Sequence, residues 1–136
     1  MKTTIATPHA PSSALYSQGA RVGPFIFVSG MTGTDVATAQ LVGPGIEEQT
    51  TQALGNCVSV IEAGGGSRSD IVQVTVLLAN PEDFVGMNES YAGFFPSDPP
   101  TRAVAKLGVE LPGVRISVLM TAYVKEVSEV ASVRLA

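Results

Sequence analysis

Few side chains in this sequence can do chemistry, so each can be weighed in turn. Arg102 follows Pro99, Pro100 and Thr101 at the mouth of an apolar run. A guanidinium is always charged and presents a planar fork of donors that fits a carboxylate or a phosphate. A site in this chain is therefore best built around Arg102, the plain alternative being a strand-end arginine in a surface ion pair. Tyr16 and Asn88 divide the same way, between a cleft wall and an ordinary core-edge or exposed helix position. The chain has one Cys and one His, Cys57 and His9, far apart, which supply no metal-ligand set and no internal disulfide. Cys57 lies on an apolar helical stripe and reads as a packed core thiol. His9 lies in a proline-flanked loop and reads as solvated. Ser12, Ser13, Ser17 and Ser29 have no partnered base of the kind a serine nucleophile needs. Gly64-Gly65-Gly66 closes a helix, where a phosphate loop has to open one. The acids gather at helix starts, where capping and the helix dipole account for them.

The elements that must position these groups follow from periodicity and breakers. Thr3–Thr7 reads as a short edge strand, Ala14–Val22 as a strand with a possible bulge at Gly19, and Phe25–Ser29 as its hairpin partner across Gly23-Pro24. Residues 33–45 are loop by composition, broken by Gly43-Pro44-Gly45. Ile46, Ala53, Leu54, Cys57, Val58 and Ile61 recur at three-and-four spacing and predict an amphipathic helix, with Glu47 and Glu48 in its first turn. The glycine triplet suits a left-handed cap. Ile71–Ala79 is β-branched and reads as a central strand. Asn80-Pro81-Glu82-Asp83 opens a second helix with Phe84, Met87, Tyr91 and Phe94 or Phe95 on its apolar stripe. Ala103–Val109 and Ile116–Val124, flanking a Leu111-Pro112-Gly113 turn, read as neighbouring antiparallel strands joined by a hairpin. The tail beyond Val124 reads as a short extension or a frayed end. The order of elements predicts one α+β domain over residues 1–136, a mixed sheet with two helices on one face.

At 136 residues the chain can bury an ordinary core. Only 15% of its residues are charged and 45% are hydrophobic, which favours self-association. A net charge of −4 suits nucleic-acid phosphate contacts poorly. No apolar run approaches the length of a membrane span, and Met1–Thr7 lacks a signal-peptide core. These features predict a cytoplasmic protein with neither nucleic-acid nor membrane partners.

A set of spaced motifs carries a resemblance. Tyr16-Ser17-Gln18-Gly19, Phe27-Val28-Ser29-Gly30, Asn88-Glu89-Ser90-Tyr91, Phe94-Phe95 and Pro100-Thr101-Arg102 occur in one order. Together with Thr4-Ile5-Ala6-Thr7 and Leu111-Pro112, they resemble the reactive intermediate deaminases, the RidA or YjgF family, nearly end to end. The resemblance implies a chorismate-mutase-like fold assembled as a homotrimer, with the sheets forming an inner barrel and a cleft at each subunit interface. It also implies cofactor-free hydrolysis of enamines and imines of 2-amino acids, such as 2-iminobutanoate and 2-iminopropanoate, to 2-keto acids and ammonia. On the matching positions, Arg102 grips the substrate carboxylate and Tyr16 lines the cleft. Gly30, beside Ser29, brings backbone close to the ligand, and Asn88 stands at the wall. Two positions depart from the family. Val104 stands where the deaminases have a cysteine, and Ser117 where they have a glutamate thought to position the attacking water. A hydroxyl can orient water but is no carboxylate base near neutral pH.

Two functions are compatible with this pattern. One is a deaminase in which Arg102 anchors the carboxylate, Tyr16 and the Gly30 backbone position the reacting carbon, and Ser117 or a carbonyl holds water. The other is a trimeric small-carboxylate-binding protein without turnover, in a regulatory role. A ribonuclease or translation-inhibitor role, attached to some family members, fits the acidic balance least. The barrel reading further predicts that Val118 or Met120 faces the subunit interface.

Overall fold

The computed structural model describes residues 1–125, and the predicted tail extension lies outside them. Eight strands and two α-helices form in chain order: β1 (Thr3–Ile5), β2 (Gly19–Val22), β3 (Phe25–Thr32), β4 (Thr34–Asp35), β5 (Gln40–Leu41), α1 (Ile46–Ala63), β6 (Ile71–Leu78), α2 (Phe84–Phe94), β7 (Thr101–Lys106) and β8 (Ile116–Tyr123). Six of the strands make one sheet in the order β1-β2-β3-β8-β6-β7, while β4 and β5 pair as a small separate hairpin inside the predicted loop. All neighbours in the main sheet are antiparallel except β6 and β7. That parallel pair requires a crossover, and α2 supplies it.

The predicted hairpin between the last two strands does not form. β8 pairs with β3 and β6, whereas β7 pairs only with β6, at the sheet edge. The connection around Leu111–Gly113 therefore arches over the end of β6. There the Leu107 amide donates to the Leu78 carbonyl, and the Ala79 amide donates to the Arg115 carbonyl. The physical reason lies in burial. Val118 and Ala122 are fully buried, as central-strand residues are, while the β7 side chains are exposed or half-buried. Ala14–Gln18 is irregular, and only its last four predicted residues, Gly19–Val22, form strand.

Both helices cover one face of the sheet. Leu54, Cys57 and Ile61 of α1, with Met87 of α2, meet Ile26, Val74, Val76, Val118 and Met120 in the core. Gly65, with φ of 96°, sits in the left-handed region just beyond α1, as its sequence suggests. Val118 and Met120 are 0% and 2% exposed toward this core, so neither presents to a subunit interface. Alternation along β8 instead turns Ser117, Leu119, Thr121 and Tyr123 to the uncovered face. On that face Phe25 stacks near Phe27 and packs edge-on against Tyr123. Phe25, Phe27, Leu119 and Tyr123 all remain exposed there.

Three buried amides tie the loops to this frame. Gln49 donates to the carbonyls of Gly43 and Gly113 and accepts from the Arg115 amide. Gln18 accepts from the Thr7 amide and donates to the carbonyls of Thr7, Ala10 and Pro11, fixing the N-terminal loop. Asn56 donates to the carbonyls of Thr32 and Thr34. A nearly buried Asp83 accepts both bonds of a forked pair from Arg115, each 3.1 Å.

Candidate functional site

Arg102 projects from β7 onto the helix-covered side, because its register partner Val74 faces the core. Its Nη1 donates to Asn88 Oδ1 of α2 at 2.7 Å. The guanidinium carbon lies 4.8 Å from the Tyr91 ring centroid and 5.9 Å from that of Phe84. Among the described residues no carboxylate pairs with it. A surface ion pair is thus not what holds this side chain. Aromatic faces and a neutral amide oxygen fix the cation without neutralising it, which leaves its charge available to an anion. Burial raises the Tyr91 phenol above its ordinary pKa, with the Arg102 charge acting in the opposite direction. The Tyr91 hydroxyl is buried and has no hydrogen-bond partner among the described residues.

Val104 stands two residues along the same face of β7. It lines a groove of about 440 Å3 with Leu78, Pro81, Phe84, Ala105 and Lys106. Val104 thus forms part of an apolar wall.

The remaining candidates gather elsewhere. Val28 pairs with Met120 and Met31 with Val118, so β3 carries one extra residue there, a bulge at Ser29 and Gly30. The Ser29 amide donates to the Gln18 carbonyl, and its Oγ donates to the Ser17 carbonyl at 2.6 Å. Tyr16, half exposed, thereby sits on a loop anchored to the bulge. A Cβ at position 30 would lie 3.0 Å from Ser117 Oγ, so glycine there lets the backbone approach that hydroxyl. Ser117 is nearly buried on the face opposite the helices. Among the described residues its Oγ makes no hydrogen bond, and it remains available to a ligand or a water.

The chain thus places the candidate residues in two separate groups and does not unite them. Arg102, Asn88 and Val104 form one, on the helix side of an edge strand. Tyr16, Ser29, Gly30 and Ser117 form the other. The Arg102–Val74–Met120–Val28 row crosses three strand spacings, roughly 14 Å, before reaching the bulged strand, and Ser117 lies on the opposite face. No rotamer change within the chain closes that distance. Sequence reasoning missed the aromatic cradle of Arg102, although Phe84 and Tyr91 stand seven residues apart on one helix face. It also missed Gln18, Gln49 and Asn56, since nothing in a sequence marks which amides will be buried.

Comparison with known proteins agrees with this architecture. The model of the family described as Endoribonuclease L-PSP matches residues 7–124. A RutC family protein of Pyrococcus horikoshii is 36% identical over 124 residues, covering 90% of this chain and 98% of that protein. The human 2-iminobutanoate/2-iminopropanoate deaminase is 36% identical over 119 residues, covering 87% of each chain. Among solved structures, RidA from an Antarctic Psychrobacter species superposes with a TM-score of 0.84 at 31% identity, over 90% of this chain and 99% of that one. The YjgF gene product of E. coli gives 0.85 at 29% identity, over the same shares. The fold is that of an α+β domain of the L-PSP type, and the chain belongs to this family, the RidA/YjgF family.

Proposed function

We propose that this protein is a cofactor-free hydrolytic deaminase of enamine or imine intermediates of 2-amino acids, or of a closely related small carboxylate. The observation that carries the reading is Arg102, a cation cradled by Phe84, Tyr91 and Asn88 with no carboxylate partner among the described residues. In this reading three copies associate through the uncovered sheet faces, and the Arg102 half-site of one copy meets the Tyr16–Ser29–Gly30–Ser117 half-site of its neighbour. The separation of the two halves within one chain is what makes an inter-subunit cleft the economical arrangement.

The reaction then runs as follows. Arg102 takes the substrate carboxylate in a bidentate pair, beside Asn88 and Val104. The Gly30 backbone and Tyr16 fix the imine carbon. A water held by the Ser117 hydroxyl adds its oxygen to that carbon, and its protons pass to the nitrogen. The carbon–nitrogen bond breaks, and ammonia and the 2-keto acid leave. Ser117 orients the water and leaves general-base work to the imine nitrogen itself. The family relatives named as imine deaminases support this substrate class.

A second reading draws on the same position. Because Ser117 stands where the deaminases have a glutamate, the protein could capture small carboxylates without turnover as a regulatory trimer. Generating 2-imino acids in situ with an amino-acid oxidase and following their decay separates the two. Acceleration by wild type but not by Arg102→Ala supports the deaminase. Saturable binding of 2-keto acids without acceleration supports the binding protein.

A further inference from the structure

We propose that the carboxylate site extends along β7 to Lys106 and selects a ligand with a second anionic group, a 2-oxo or 2-imino dicarboxylate. This rests on the reading of Arg102 as carboxylate anchor. Lys106 is four residues beyond Arg102 on one strand, so alternation puts both on the same face, about 13 Å apart at Cα. Their register partners Leu78 and Val74 both point into the core from that face, which agrees. Lys106 lines the 440 Å3 groove, and Phe84 is common ground: it lines that groove and lies 5.9 Å from the Arg102 guanidinium. Neither cation is neutralised. Among the described residues the Lys106 side chain makes no hydrogen bond or ion pair, and Arg102 has no carboxylate partner. Between the two charges the wall is apolar, formed by Val104 and Phe84. A cation at each end and an apolar floor between suit two carboxylates joined by a methylene chain. Arg102 supplies the planar fork for the 2-oxo acid end. Lys106, a compact charge on a flexible stem, takes the distal carboxylate without a strict angle.

The test is isothermal titration calorimetry of the full chain with 2-oxobutanoate and 2-oxoadipate. Wild type is expected to bind the dicarboxylate roughly fivefold more tightly, the scale of one exposed ion pair. Lys106→Met, which keeps the stem and removes the charge, brings the affinity ratio to about one, and Lys106→Arg retains the preference. A wild-type ratio of one or below, or a ratio that Lys106→Met leaves unchanged, overturns the inference while leaving the anchor intact. If neither probe binds wild type, or if Arg102→Ala binds both as wild type does, the anchor itself falls and this inference with it.

Discussion

At the scale of single residues, the proposed chemistry turns on Arg102. Its partners are an amide oxygen, the Met87 thioether and two aromatic rings, none of which competes for a full negative charge. Arg102→Ala is expected to weaken 2-oxobutanoate binding by at least roughly tenfold, the lower end for a lost charged hydrogen bond, with the sedimentation profile unchanged. Arg102→Lys restores charge without the fork and recovers only part of that affinity. Ser117→Ala is expected to slow imine hydrolysis by less than roughly 10²-fold, below the loss of a true general base, in single-turnover assays. A larger loss would give the hydroxyl a proton-transfer role. Cys57 illustrates the opposite case, a reactive group made inert. It is fully buried, its Sγ donates to the Val118 carbonyl, and burial pushes the thiol well above its usual pKa. The folded state therefore holds this proton at pH values where the unfolded chain releases it. Stability contributed by the neutral thiol is present below the ordinary cysteine range and declines as pH rises above it. Denaturant melts between neutral and alkaline pH should show that decline in wild type and a shallower one in Cys57→Ala. An equal slope in both would assign the decline to other groups.

At the scale of elements, buried amides and the bulge do what hydrophobic patterning leaves undone. Gln49 joins the Gly43 loop, the Gly113 turn and the start of β8 near Arg115. Gln49→Leu strands two carbonyls and an amide, and is expected to cost roughly 2–4 kcal/mol in chemical denaturation. A loss under 1 kcal/mol, on the order of an ordinary surface change, would show that water replaces those bonds readily. The bulge at Ser29 and Gly30 has a comparable role for the site. It interrupts the alternation of β3 where glycine permits close approach to Ser117, and Ser29 ties the Tyr16 loop to the same point. Most helices and strands were legible in the sequence because each carries its own periodicity. The β4–β5 hairpin was not, since two-residue strands carry none, and the hairpin expected between β7 and β8 was an error of partner choice. A Leu-Pro-Gly turn between apolar runs is compatible with pairing to each other or with each pairing to β6.

At the scale of the whole molecule, one sheet face is packed under helices and the other is aromatic and open. Phe25, Phe27, Leu119 and Tyr123 form a contiguous apolar surface of the kind that marks association. Leu119→Glu is expected to yield a folded protein that sediments as a smaller species. Val118→Glu, which puts a charge into a fully buried position, is expected to unfold the chain instead, read by circular dichroism. An unchanged assembly in Leu119→Glu would exclude this face as the interface. The two substitutions are adjacent in sequence and opposite in consequence, because β-strand side chains alternate. This also locates the error in expecting Val118 or Met120 at an interface. Ile116, Val118, Met120 and Ala122 form a wholly apolar run, whereas Ser117, Leu119, Thr121 and Tyr123 mix hydroxyls with apolar groups, so the alternation itself marks the first run as the core face.

The sequence by itself determined the α+β class, the amphipathic first helix, the buried thiol and the family to which the chain belongs. Each is a local or linear property: a period, a breaker, or an ordered set of motifs. Only the tertiary structure decided that β7 lies at the edge beside β6 and that Arg102 is cradled by Phe84 and Tyr91. It alone separated the candidate residues into two groups on opposite faces of the sheet. Those facts depend on which strands pair, and pairing is settled by burying the largest apolar area over the whole chain at once. No single stretch of sequence contains that sum.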